Sequence, residues 1–188
     1  MKKSILTIFI FILTINFGLS QTASDLEVKN GFKDIKLDES FQKWKPALFS
    51  DYIKKDDNGN IIGVLANSKS YDVFGYKVNS IVLTFQNEKI SQIEINLEHF
   101  QDADVANEKF VKWRADDFET IYSNFNSLFG KGEKATGEKY GCDIIGMWVS
   151  ESLVLDLRYY NFGVSKYDQC RIWLSKKSFL NSKIKSGF

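Results

Sequence analysis

Between Ile81 and Leu97 apolar and polar residues alternate. Ile81, Leu83 and Phe85 fall on one side, with Val82, Thr84 and Gln86 on the other. After a turn around Asn87-Glu88-Lys89 the pattern resumes as Ile93, Ile95 and Leu97 against Gln92, Glu94 and Asn96. A period of two with one polar face predicts a half-buried antiparallel pair. Tyr71 to Val78 reads as a further strand of that sheet, bent or interrupted at Gly75. The pattern returns near the end of the chain. Cys142 to Val149 leads through Ser150-Glu151-Ser152 into Leu153, Leu155, Leu157 and Tyr159, which alternate with Val154, Asp156, Arg158 and Tyr160. Cys170, Ile172 and Leu174 then alternate with Arg171, Trp173 and Ser175.

Between these blocks the period lengthens. Phe110, Val111, Phe118, Ile121, Tyr122, Phe125, Leu128 and Phe129 recur at spacings of three, four and seven. They predict a helix over 104–129 ending at Gly130, with Ala115-Asp116-Asp117 marking a break or a fresh cap, so one helix or two. A shorter helix, capped by Asp38 or Ser40, has to stop before Pro46. Asp57-Asn58-Gly59-Asn60, set between Tyr52-Ile53 and Ile61-Ile62, carries the Asn-Gly chemistry of a hairpin turn. A calcium loop with Gly59 in sixth place would put Lys54 at its first ligand position, which excludes it. Gly130-Lys131-Gly132-Glu133-Lys134 has the composition of a phosphate loop but follows a helix where such a loop precedes one, so it reads as a helix stop and flexible connection. The expected fold is α+β: a twisted antiparallel sheet with the long helix packed on one face, in two similar helix-plus-meander halves over 31–100 and 104–175.

Composition agrees with a packed domain, at 44% hydrophobic and 15% aromatic residues in a chain of 188. Residues 1–20 have the order of an export signal: Lys2 and Lys3, an apolar run from Ile5 to Ile15, then small Gly18 and Ser20 before Gln21. That run is shorter than the roughly 20 apolar residues of a membrane span. No cysteine lies near the cut to carry a lipid, and no later stretch is long enough to span a bilayer. The expectation is an extracytoplasmic domain, periplasmic or secreted, over 21–188. Losing Lys2 and Lys3 takes the net charge from +1 to −1, which gives no reason to expect nucleic acid. Outside the cytoplasm Cys142 and Cys170 are expected to pair, a bridge worth roughly 3–4 kcal/mol if unstrained; two buried thiols are the alternative.

Common catalytic designs lack their parts. The single histidine, His99, follows Glu98 at the end of a predicted strand, leaving no base for a Ser-His-Asp or Cys-His arrangement. With Asp102 and Asp104 it makes a solvated turn and helix cap more readily than a metal site. No metal and no cofactor are expected. Acids are plentiful, so a secreted hydrolase using paired carboxylates is the alternative function, although nothing singles out a pair. The more specific surface is the outward side of the last two strands, where Arg158, Tyr160, Arg171 and Trp173 point away from the core side. Arg, Tyr and Trp dominate binding hot spots, and such residues also form cross-strand pairs that stabilise a sheet unaided. Charge is uneven along the chain: Glu94 to Glu119 holds eight acids against three bases, and no acid follows Asp168. The basic end, 176–188, reads as a solvated tail, or as a patch turned toward an anionic envelope surface.

Phe32-Lys33-Asp34-Ile35-Lys36-Leu37 before the short capped helix, Phe85-Gln86-Asn87-Glu88-Lys89-Ile90, and Leu128-Phe129-Gly130-Lys131 followed by Gly146-Met147-Trp148 resemble a broad group of uncharacterised secreted bacterial α+β proteins. The layout is similar to that of the β-lactamase inhibitor protein and of SmpA/OmlA-type envelope proteins. The resemblance implies a binding or envelope-assembly module without chemistry of its own, whose partner is a protein or an envelope component.

Overall fold

The structure is a computed structural model in which residues 24–97, 115–160 and 169–185 are described. The expected export signal at 1–20, His99, Asp102, Asp104 and the first part of the helix expected over 104–129 lie outside the described residues. The chain is mixed helix and strand, with an open antiparallel sheet. In order come α1 (Ser24–Lys29), β1 (Gly31–Phe32), β2 (Ile35–Lys36), α2 (Phe41–Trp44), β3 (Lys54–Lys55), β4 (Ile61–Val64), β5 (Asp72–Val73), β6 (Tyr76–Gln86) and β7 (Lys89–Leu97). Then follow α3 (Ala115–Phe129), β8 (Glu133–Thr136), β9 (Ile144–Val149), β10 (Leu153–Tyr160), β11 (Gln169–Lys176) and α4 (Lys177–Lys185). The sheet runs β3-β4-β6-β7-β11-β10-β9-β8, with β5 paired to β6 and β1–β2 a separate hairpin.

The predicted alternation decides which face is covered. Ile81, Leu83, Phe85, Ile93, Ile95, Leu155, Leu157, Ile172 and Leu174 are buried in one cluster with Phe118, Ile121, Phe125 and Phe129 of α3. These helix residues sit at spacings of three and four, so one stripe of α3 turns to the sheet. Leu26 of α1 and Phe41 and Trp44 of α2 join the same cluster. Ser40 caps α2, its hydroxyl accepting from the Lys43 N–H at 3.3 Å, and Gly130, at φ 78, follows the end of α3.

Four stretches differ from the sequence-based expectation, each for a local reason. Tyr71 to Val78, expected as one strand bent or interrupted at Gly75, is interrupted there and reverses as a hairpin, with Phe74 and Gly75 at φ 51 and 87 between Val73 and Tyr76. The Asp57–Asn60 turn belongs to a wider loop in which Asp56 accepts from the Asn58 and Asn60 N–H groups at 3.0 and 2.9 Å. Glu133–Thr136, expected as flexible connection, pairs with Ile144–Met147 as the exposed edge strand β8. The lysine-rich end forms α4 over Lys177–Lys185, with Phe179 fully buried outside the main cluster. Ser182 accepts from Gln86 Nε2 at 3.0 Å, and Gln86 alternates with core-facing Phe85, so α4 folds back over the outer face.

The expected Cys142–Cys170 bridge is absent; both thiols are free and buried. Tyr159 of β10 lies between Cys170 on one side and Ile144 on the other. Residues on β9 and β11 are therefore two strand spacings apart, about 9–10 Å, beyond the roughly 7 Å that a disulfide can span. The thiols also face different surroundings. Cys142 is near Arg158, Asp143 and Asp156, whereas Cys170 is in the core near Asp117 of α3. Burial pushes both thiols up, so neither is poised as a thiolate nucleophile.

Candidate functional site: an arginine–aromatic face and an apolar cavity

Register brings Arg158, Tyr160, Arg171 and Trp173 together on the outer face. Arg158 stands opposite Arg171, flanked by the pairs Asp156–Trp173 and Tyr160–Gln169. Two guanidinium groups directly across an antiparallel pair repel unless each finds compensation. Here each turns to the diagonal ring: the Arg158 guanidinium carbon is 4.3 Å from the Trp173 ring centroid and that of Arg171 is 5.2 Å from Tyr160. The two rings meet edge to face, 6.4 Å apart. Arg158 also donates to Asp156 Oδ2 at 2.8 Å, and Arg171 Nε donates to Gln169 Oε1 at 3.0 Å, with Glu94 3.7 Å away. The four residues form one half-buried ladder whose charges are largely met within the sheet.

Asp156, unmarked at the sequence level, is the ladder's most enclosed member, 7% exposed. Burial pushes its carboxyl up, and the hydrogen bond and charge of Arg158 offset that shift only in part. Its Oδ1 has no hydrogen-bond partner. The readable signal was an acid two residues before an arginine on the same strand face. Around Tyr160, too, burial pushes the phenol up against the opposing pull of Arg158 and Arg171.

The opposite face holds a cavity that no motif announced. It measures about 270 Å³ and lies between the sheet's apolar side, α1 and α3. Ile95, Leu155, Ile172 and Leu174 form its floor, and Phe125, Leu128 and Phe129 of α3 its wall. These floor residues are all buried. At the rim stand Lys29, the hairpin tips at Lys33 and Phe74, and Asp72, whose carboxylate pairs with Lys33 Nζ at 2.7 Å. The Lys33 hydrogen bond and charge hold Asp72 below the ordinary carboxylate range. Phe74 packs edge to face on Phe125, centroids 5.1 Å apart. The one available hint was an aromatic residue preceding glycine at a chain reversal.

Among the described residues no group of three His, Cys, Asp or Glu side chains could hold a metal ion, and no helix is long and apolar enough to cross a membrane. Asp72 is the one carboxylate among the cavity's lining residues. Comparison with known protein families, with curated proteins and with solved structures finds no match to this chain.

Proposed function

We propose that this chain is a non-catalytic, extracytoplasmic binding module that takes an apolar group of an envelope component into the cavity between the sheet, α1 and α3. The observation that carries the reading is the cavity: about 270 Å³, floored and walled by apolar side chains, with polar groups confined to its rim. Ligand sites have that composition and commonly span roughly 300–1,000 Å³. The export-signal order of residues 1–20 supports a place outside the cytoplasm. A hydrolase using two carboxylates would need both to converge on a cleft; the cavity offers Asp72, already paired with Lys33.

A second contact surface belongs to the same proposal. The Arg158–Trp173 and Arg171–Tyr160 ladder is half-buried and continuous, a surface suited to a protein partner. The layout is in keeping with the resemblance to the β-lactamase inhibitor protein and SmpA/OmlA-type proteins. The meanders β4-β6-β7 and β9-β10-β11 join through β7 and β11, which suits two similar halves within one mature domain. The test of cavity binding is a neutral apolar fluorophore, N-phenyl-1-naphthylamine. The folded protein should bind it at one site, and Leu128→Trp, which plugs the cavity from α3, should abolish binding. A folded protein that never takes up the fluorophore refutes the reading.

A further inference from the structure

We propose that the cavity's ligand is a single-chain anionic amphiphile, of which a fatty carboxylate is the simplest form, with its chain on the sheet and its headgroup at the lysines of the mouth. This rests on the cavity-binding reading above.

Burial gives the cavity a direction. Ile95, Leu155, Ile172 and Leu174 are at most 4% exposed, whereas Phe74 is 38% exposed and Lys29 and Lys33 are exposed. The floor is therefore deep and dry, and the rim opens beside the lysines. A volume of about 270 Å³ lies just under the usual range for ligand sites of roughly 300–1,000 Å³, which suits one alkyl chain and leaves no room for two.

The charge of the mouth selects the headgroup. Lys29 and Lys33 line it, and Lys36 Nζ donates to the Lys29 carbonyl at 2.7 Å. Lys77 stands opposite Asp72 in the β5–β6 hairpin. Among the described lining residues Lys29 and Lys33 stand against one acid, Asp72; Asp34, next to Lys33 in the chain, accepts from the Tyr71 hydroxyl at 3.0 Å. The lysines are in excess, so a carboxylate arriving at the rim meets positive charge without burying it, and an ammonium headgroup is repelled.

Two of the six non-glycine residues at positive φ among the described residues stand at this mouth. Lys33 and Phe74 occupy the tips of two-residue hairpin turns at φ 53 and 51, where glycine or asparagine fits best. A long or bulky residue in that conformation is disfavoured, and such strain concentrates at ligand clamps. Here it sets the Lys33 ammonium and the Phe74 ring on the rim of one opening.

The test is displacement of bound N-phenyl-1-naphthylamine from the exported chain by dodecanoate, dodecanol and dodecylamine, each below its micelle threshold. At low ionic strength dodecanoate should displace at about a fivefold lower concentration than dodecanol, with dodecylamine the weakest. That margin should vanish in Lys29→Gln/Lys33→Gln and shrink at high salt, where exposed charges are screened. Lys29→Glu, whose folding is checked by circular dichroism, should shift preference toward dodecylamine. Equal potency of dodecanoate and dodecanol, or a tighter amine, overturns the headgroup assignment and leaves the cavity reading standing. A fluorophore that binds but is displaced by no chain overturns the amphiphile; a fluorophore that never binds overturns both.

Discussion

Replacing Trp148 by phenylalanine tests how the helix is locked to the sheet. Trp148 is 2% exposed on β9. Its indole N–H donates to the Gly130 carbonyl at 3.0 Å and to Asn126 Oδ1 at 3.2 Å, both at the C-terminal end of α3. Asn126 Oδ1 also accepts from the Gly132 N–H at 2.8 Å. Phenylalanine therefore leaves Asn126 with a partner and strands the Gly130 carbonyl, a loss of about 1–3 kcal/mol if water cannot reach it. The smaller ring also gives up contact with Tyr122 and Phe125, whose centroids lie 5.1 and 5.3 Å from the indole. That is worth about 1 kcal/mol, on the scale of a buried methylene or two. The expected loss is about 2–4 kcal/mol, a fall in Tm of roughly 4–16 °C for a domain of this size.

Urea unfolding followed by far-ultraviolet circular dichroism measures the loss, with an unchanged m value showing that the unfolding reaction itself is the same. A double-mutant cycle with Asn126→Ala should give a coupling of about 0.5–1.5 kcal/mol, because the two side chains share a hydrogen bond. A loss under about 0.5 kcal/mol, or no coupling, refutes this account of the helix–sheet lock.

The remaining expectations concern thiols, protons and the outer face. Unfolded, unreduced protein should titrate two thiols per chain while the native protein reacts slowly, as two buried free cysteines require; a count of zero restores the bridge. Glu39 is pushed up by burial but held lower overall by Lys43, the Trp44 indole and the Lys36 N–H, and Glu27 is lowered by the Ser152 N–H and the Ser150 and Ser152 hydroxyls. Both stabilise the fold above the unfolded value near 4.5 and cease to do so as pH falls through their lower folded values. Glu39→Gln should therefore lower the urea midpoint at pH 7, and the difference should shrink as pH falls below 4.5. Asp156 works in the opposite sense, since its raised carboxyl opposes stability as pH climbs from 3.8; the midpoint of Asp156→Asn relative to native protein should rise with pH, and a flat difference would sink the argument. Trp173→Ala with Arg171→Ala should remove crosslinked partners captured from the envelope fraction, and an unchanged set would confine the ladder to a structural role.

Alternation made the sheet readable because a period of two has few other physical meanings when one face is dry. It correctly paired Ile81–Gln86 with the following strand and placed Arg158, Tyr160, Arg171 and Trp173 on one side. What escaped it were features decided by contacts between distant residues. Glu133–Thr136 has an exposed, featureless pattern and is a strand because β9 offers an edge. The cysteines looked paired by compartment, yet strand order puts β10 between β11 and the strand that follows Cys142. Phe74-Gly75 reverses the chain although a phenylalanine in a left-handed conformation is the opposite of a turn signal. The cavity was invisible for the same reason: its floor residues read as ordinary core, and only the arrangement of what covers them leaves space.

The position of that space follows from a mismatch of widths. Eight strands side by side in the main sheet extend roughly 35–40 Å, whereas one helix with its side chains covers about 10–12 Å. Helix α3 meets β9 through Tyr122 and Phe125, which pack on Trp148, and a Cβ at Gly146 would come within 2.7 Å of the Tyr122 ring; its Phe125, Leu128 and Phe129 also form one wall of the cavity. Among the described residues, the rest of the lining over β7, β11 and β10 comes from α1 and the tips of two short hairpins. Among the described residues these pieces do not close over Ile95, Leu155, Ile172 and Leu174, and the cavity lies between them. At the rim stand Phe74 and Lys33, both at positive φ, a conformation that costs about 1–3 kcal/mol for a residue other than glycine and that the hairpins around them must offset.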